Sequence, residues 1–135
     1  MDFHQINERL PIQSIPDSEA VKRGIDLRIL RLDQTHPEIS GNKWFKLKYN
    51  LLQARQAGHS KLLTFGGAYS NHIHAVAGAS HLFGFESIGI IRGEEHPELN
   101  PTLSFAKEHG MILKYVDRES YRKKTEASFI EGLRK

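Results

Sequence analysis

Lys43 and the run from Gly66 to His72 are the residues whose types and spacing could do chemistry in this chain. Lys43 stands in Gly41-Asn42-Lys43-Trp44-Phe45-Lys46-Leu47. A lone lysine is ordinarily a surface residue. Here the recurrence of Trp44, Leu47, Leu51 and Ala54, with Phe45, Tyr49 and Leu52 widening the stripe, predicts a helix from Asn42 to a stop at Ala57-Gly58. At a helix N-terminus the macrodipole disfavours a positive charge, and Lys46 one turn further adds like charge. Both press the Lys43 amine toward the neutral, nucleophilic form that Schiff-base chemistry requires. Asn42 is the expected helix cap, and Gly41 lets the backbone turn into it.

The second run, Gly66-Gly67-Ala68-Tyr69-Ser70-Asn71-His72, follows the short apolar segment Lys61 to Phe65 and opens a helix expected from Asn71 to Phe83. A glycine-rich turn between a buried strand and a helix aims backbone N–H groups beyond the strand's carboxyl end, where an anion fits. Neither G-x-x-x-x-G-K-[ST] nor G-x-G-x-x-G is present. An ordinary turn at Gly66-Gly67 and an ordinary cap at Ser70 are the plain alternatives. Ala75, Ala77, Gly78, Ala79 and Ser80 allow the following helix to pack close to a sheet.

The elements that must position these residues have regular punctuation. Stop glycines at 58, 84 and 110 leave two equal intervals of 26 residues, each holding a strand, a loop and a helix. Such βα units build a parallel sheet. Ser87 to Ile91 and Met111 to Val116 read as the further strands. Asn100 and Pro101 mark the start of a helix running to His109. Asp117 is placed to cap a last helix with Phe129, Ile130 and Leu133 inside. Ahead of Lys43, Pro11 and Pro16 mark an irregular lead-in with one helical turn near Ser18 to Arg23. Ile25 to Asp33 alternates like a strand, and His36 to Gly41 is a loop.

The 135 residues suffice for one ordinary domain, 39% of them hydrophobic. A net charge of +3 is too small and too scattered for a nucleic-acid stripe; the one basic cluster, Arg118 to Lys124, is interrupted by Glu119. With no cysteine, disulfides and thiolate metal sites are excluded. His72 and His74, two apart on a helix, point to different sides and make a poor metal pair. The first residues have neither a basic start nor an apolar run, and no stretch reaches membrane-spanning length. The expected setting is cytoplasmic, without nucleic-acid or membrane partners.

Gly41-Asn42-Lys43, Lys46-Leu47, Gly66-Gly67 and Ser70-Asn71-His72 together resemble the family of D-cysteine desulfhydrases and 1-aminocyclopropane-1-carboxylate deaminases, pyridoxal-phosphate enzymes of the tryptophan-synthase-β-like fold group. The resemblance runs from about Ile25 onward and is densest between Ser40 and Gly78. It implies an α/β fold of type II, with repeated βα units forming a parallel sheet flanked by helices. Residues 1–40 would belong to a larger cofactor domain and residues 41–135 to a partial α/β domain. It implies that Lys43 carries pyridoxal 5'-phosphate as a Schiff base and moves protons. Asn71 would bond the cofactor's 3′-oxygen. Ser70 would contact the substrate carboxylate and take part in proton transfer or attack, with the N–H groups of Asn71 and His72 helping to hold that carboxylate. The implied reaction turns a small amino acid into a 2-oxo acid and ammonia, with sulfide if the substrate is D-cysteine, in a homodimer.

His72 replaces a glutamine frequent in the deaminases, which favours a desulfhydrase-like or uncharacterised substrate over the cyclopropane amino acid. Trp44-Phe45 also departs from the family pattern. The family's phosphate-binding loop comes from a later region, and Arg92-Gly93-Glu94-Glu95 offers acids where a phosphate needs donors. A fourth stop would fall just past Lys135, so the expectation is an N-terminal portion cut within its fold that binds the cofactor weakly by itself. Two other readings stay open: an inactive fragment or interaction module, and a nucleotide site at the Gly66–Ser70 turn.

Overall fold

A computed structural model describes residues 6, 8–39 and 41–133 of the chain. The expectations for residues 1–5 and for the chain end at Arg134-Lys135 fall outside the described residues, as does Ser40 in the loop ahead of Lys43.

The first elements are β1 (Ile12–Ser14), α1 (Ser18–Lys22) and β2 (Arg28–Leu30). The two strands pair antiparallel, Gln13 opposite Ile29. The helical turn sits where the sequence places it, with Asp17 accepting from the Ala20 N–H at 2.7 Å. The lead-in is less irregular than expected, because β1 finds a partner that its own residues do not announce. The strand expected over Ile25 to Asp33 shrinks to three residues. Leu32–Gln34 turns into a 3-10 helix, and the Thr35 hydroxyl donates back to the Leu32 carbonyl at 2.7 Å. Leu27 and Ile29, on the apolar side of that alternation, are exposed, and Leu32 on the same side falls in the 3-10 turn.

The remainder alternates helix and strand: α2 (Lys43–Gln56), β3 (Lys61–Gly67), α3 (Asn71–Phe83), β4 (Glu86–Arg92), α4 (Pro101–Glu108) and β5 (Ile112–Val116). The strands form one parallel sheet in the order β3-β4-β5, with Thr64 opposite Gly89 and Gly89 opposite Leu113. Gly58, Gly84 and Gly110 have φ of +75°, +67° and +79°, the left-handed backbone that ends a helix at least cost in glycine. The equal spacing of these glycines is therefore the spacing of successive βα units.

β4 is central and covered on both sides: Ile90 and Ile91 point oppositely, and both are at most 1% exposed. On the Ile91 side lie α3 and α4, whose Ile73, Leu103 and Ala106 join Trp44, Leu47 and Leu51 of α2 in the main core. A Cβ on Gly89 would stand 2.8 Å from the Met111 sulfur, so this face is packed to the backbone. On the other face Phe65 meets the rings of Tyr121 and Phe129 at 6.1 and 6.5 Å. Those residues come from α5 (Arg118–Arg122) and α6 (Ala127–Gly132), two short helices where the sequence suggests one. Leu63 and Ile112, on the edge strands of that face, stay exposed.

Of the aromatic cluster on α2, only Trp44 is core. Phe45 and Tyr49, expected to widen the buried stripe, are 42% and 70% exposed. The helix buries one narrow side against α3, and these rings fall outside it. Among the described residues, no helix is long and apolar enough to cross a membrane.

Candidate active site

Lys43 is the first residue of α2. The backbone reaches it through Gly41, whose φ is +67° and whose N–H donates to the Leu32 carbonyl at 2.9 Å. Trp44 fixes the helix start from inside. It is fully buried, its ring lies 6.0 Å from that of Phe83, and its indole N–H donates to Glu8 at 2.8 Å. With Trp44 turned into the core, Lys43 is left half-buried. Its Nζ donates to Asn42 Oδ1 at 2.8 Å. This corrects the expected role of Asn42: its backbone is already helical, with φ −71° and ψ 0°, and its side chain makes no capping bond. An N-cap side chain normally accepts from an extended backbone position; here it accepts from the lysine instead.

The run after β3 behaves locally as read. Gly67 carbonyl accepts from the Ser70 N–H at 3.1 Å, closing a tight turn. Ser70 caps α3, its Oγ accepting from the N–H groups of His72 and Ile73 at 3.2 and 3.3 Å. Gly66 has no alternative: a Cβ there would stand 2.5 Å from Ile73 Cγ1 and 2.8 Å from Ser70 Oγ. The His72 N–H, expected to face a carboxylate, is thus engaged by Ser70.

Lys43 and Asn71 line one cavity of about 410 Å³, together with Pro37, Glu38, Gly41 and His74. Two helix N-termini converge there. Ser70 and His72 do not line it. His72 is nevertheless coupled to the lysine run: burial, then the charges of Lys43 and Lys46, hold its imidazole below the usual histidine range.

Glu38 and His74 are site-lining residues that the sequence reading passed over as such. His74 lies three residues after Asn71 and so shares its helix face, a signal that was available. Glu38 carries no local signal; only packing brings it in. The His74 Nδ1 donates to the Glu38 carbonyl at 3.1 Å, and a Cβ on Gly78 would stand 3.0 Å from Glu38 Cβ. The loop ahead of Lys43 is thereby pressed onto α3, which brings Lys43 and Asn71 to one cavity.

A larger cavity of about 970 Å³ opens at the carboxyl ends of β3, β4 and β5, the usual position for a ligand in a parallel sheet. Gly67, Ala68 and Tyr69 form its wall against the Ser70 turn, and Arg92, Tyr115 and Arg118 border it elsewhere. The two cavities flank the same loop. The smaller one holds the groups able to do covalent chemistry.

No family model matches the chain. A Pyrococcus abyssi protein named as a candidate 1-aminocyclopropane-1-carboxylate deaminase is 36% identical over 85 residues, covering 63% of this chain and 26% of that protein. The mitochondrial bifunctional D-cysteine desulfhydrase/1-aminocyclopropane-1-carboxylate deaminase of Arabidopsis thaliana is 33% identical over 103 residues, 73% of this chain and 26% of its own length. The crystal structure of an ACC deaminase homologue superposes with a TM-score of 0.78 at 32% identity, over 96% of this chain and 40% of that one. The chain spans about a quarter of the length of the curated relatives it matches. Its parallel sheet with flanking helices is part of the fold-type-II architecture of pyridoxal-phosphate enzymes. The chain is a relative of the 1-aminocyclopropane-1-carboxylate deaminase and D-cysteine desulfhydrase family.

Proposed function

We propose that this chain carries the lysine and the substrate loop of a pyridoxal-phosphate-dependent deaminase or desulfhydrase acting on a small amino acid. One observation carries the reading: the Lys43 amine and the Asn71 amide border a single cavity at two converging helix N-termini. Those groups fit the cofactor. A primary amine can hold its aldehyde carbon covalently. A neutral amide can donate to an oxygen on its ring. The volume of about 410 Å³ lies within the range of small-ligand sites.

When bound, the cofactor supplies an electron sink for charge developing at the substrate's α-carbon. The chain's own residues do the rest. Lys43 Nζ, released from Asn42 Oδ1, holds the cofactor and then carries a proton to or from the substrate. Asn71 orients the ring from the start of α3. Ser70, at the head of the same helix, offers its hydroxyl to the substrate carboxylate, and α3's N-terminal dipole favours that negative charge. His72, with its imidazole biased toward the neutral form, adds little positive charge to the loop. The products would be a 2-oxo acid and ammonia, with sulfide from D-cysteine. In the whole protein, residues 1–40 would join a larger cofactor domain, residues 41–135 would form part of the α/β domain, and the assembly would be a homodimer.

The test is to mix the chain with excess pyridoxal phosphate, reduce with borohydride and map the modified peptide. Label concentrated on Lys43, and lost in Lys43→Ala, is the expected result. Label spread over the lysines would overturn the reading, and ligand binding indifferent to Lys43→Ala would favour a nucleotide at the Gly66–Ser70 turn.

A second reading rests on the apolar residues left exposed by β1, α1 and β2, among them Ile12 at 65% and Val21 at 70%. Such a surface suits a module that pairs with another polypeptide. Concentration-dependent self-association without Lys43 labelling would favour it.

A further inference from the structure

The Asn100 side chain makes two bonds in opposite directions. Its Oδ1 accepts from the Leu103 N–H at 3.0 Å and caps α4. Its Nδ2 donates to the Ala68 carbonyl at 3.1 Å. The partners fix which amide atom is which, since an N–H needs an acceptor and a carbonyl needs a donor. Ala68 is the second residue of the turn closed by Gly67 and Ser70. Its carbonyl therefore projects from the segment that sets where Ser70 begins α3. Both Asn100 and Ala68 line the 970 Å³ cavity at the strand ends, so the bond crosses the mouth between two neighbouring βα loops.

We propose that Asn100 is a positioning residue for the Ser70 loop: α4, capped by one half of the amide, holds the loop's register through the other half. This rests on the reading of that loop as the substrate-carboxylate site. The loop is otherwise held by the pairing of Gly67 with Arg92 on β4, by Ala68 packing against the core and by local contacts. Gly66 is packed against Ile73 and Ser70, and the Gly67–Ser70 bond spans a single turn. Asn100 is the side chain that reaches the Ala68 carbonyl of the turn from another βα unit. Sliding of α4 along α3 would move Ala68 directly, and with it the Ser70 hydroxyl.

The two roles separate by substitution. Asn100→Asp keeps an acceptor for Leu103, since aspartate caps helices as well as asparagine, but has no proton to give Ala68. Asn100→Ala loses both bonds. Amide hydrogen exchange on the full chain should show the Ala68–Asn71 amides opening about five- to tenfold faster in both variants, the scale of one lost hydrogen bond. The α4 amides should speed up only in Asn100→Ala. Loop exchange at the wild-type rate in Asn100→Asp, or equal loosening of α4 in both variants, would overturn the proposal.

D-Alanine, a small amino acid with no leaving group, then serves as the probe of the site. Its titration of the Asn71 and His72 amide resonances, with pyridoxal phosphate present, should be about fivefold weaker in Asn100→Asp, with Lys43 labelling unchanged. Unweakened D-alanine binding in a loosened loop would overturn the positioning role. If the variants show the exchange pattern but the wild-type chain shows no D-alanine response, the tether stands and the carboxylate reading of the loop falls.

Discussion

The Glu38 carboxylate lies 3.3 Å from His109 Nε2, which ties the loop ahead of Lys43 to the end of α4 across 71 residues of sequence. The same ring's Nδ1 faces the Phe105 carbonyl at 2.8 Å. Both nitrogens thus meet oxygen acceptors, and the charged ring can donate to both while the neutral ring donates to one. Between the two anchors, Phe105 is stacked on His74 and His109 at centroid distances of 3.7 and 3.8 Å. Glu38 is therefore the staple that joins the lysine loop to α3 and α4 together. Glu38→Ala should lower stability by about 1 kcal/mol, the scale of one charge-assisted, partly exposed bond. Urea denaturation measures this, and an unchanged midpoint would show that the staple contributes nothing.

The two glycines of the Gly66-Gly67 turn should behave differently. A methyl at Gly66 collides with Ile73 and Ser70, whereas one at Gly67 meets, among the described residues, Arg92 alone at 3.7 Å. Gly66→Ala should cost about 1–3 kcal/mol by overpacking. Gly67→Ala should stay within about 0.5 kcal/mol. Equal costs in thermal unfolding would mean that the turn, rather than the contact, demands glycine.

His72 should give the chain a pH dependence whose sign follows from its surroundings. Its imidazole is held down first by burial and then by Lys43 and Lys46. The unfolded chain therefore binds a proton more readily than the folded one. As pH falls below about 6.5, the ordinary histidine value, the unfolded state gains that proton first and stability is lost until the folded imidazole titrates as well. His72→Gln should flatten this part of the stability–pH curve relative to wild type. In NMR titrations Lys43→Met should raise the His72 pKa more than Lys46→Met. No movement in either variant would show that the lysines do not reach the ring.

Ser80 is fully buried in α3, and its hydroxyl has no hydrogen-bond partner among the described residues. A buried hydroxyl without a partner carries an unreturned desolvation cost. Ser80→Ala should leave stability unchanged or raise it by up to about 1 kcal/mol. A loss of similar size in denaturant titration would reveal a partner for the hydroxyl.

Local signals were legible in the sequence because their causes are local. The left-handed backbone at Gly58, Gly84 and Gly110 needs glycine whatever surrounds it. Ser70, Asn100 and Asp117 cap helices that begin immediately after them. These features determined the βα order, the parallel sheet and the placing of Asn71 at a helix start, and the recurrence of Trp44, Leu47 and Leu51 put Lys43 at another. The sharing of one cavity by Lys43 and Asn71 was decided by tertiary structure. It depends on Glu38 reaching His109 and on Gly78 admitting Glu38 against α3, contacts between residues far apart in sequence that no period or cap encodes. The second bond of Asn100 is of the same kind: its capping half is written beside Pro101, while its donor half finds Ala68 only after two βα units have packed together. Burial divides in the same way, since periodicity marks Trp44, Phe45 and Tyr49 alike as apolar, and only the narrow contact of α2 with α3 selects Trp44 for the core.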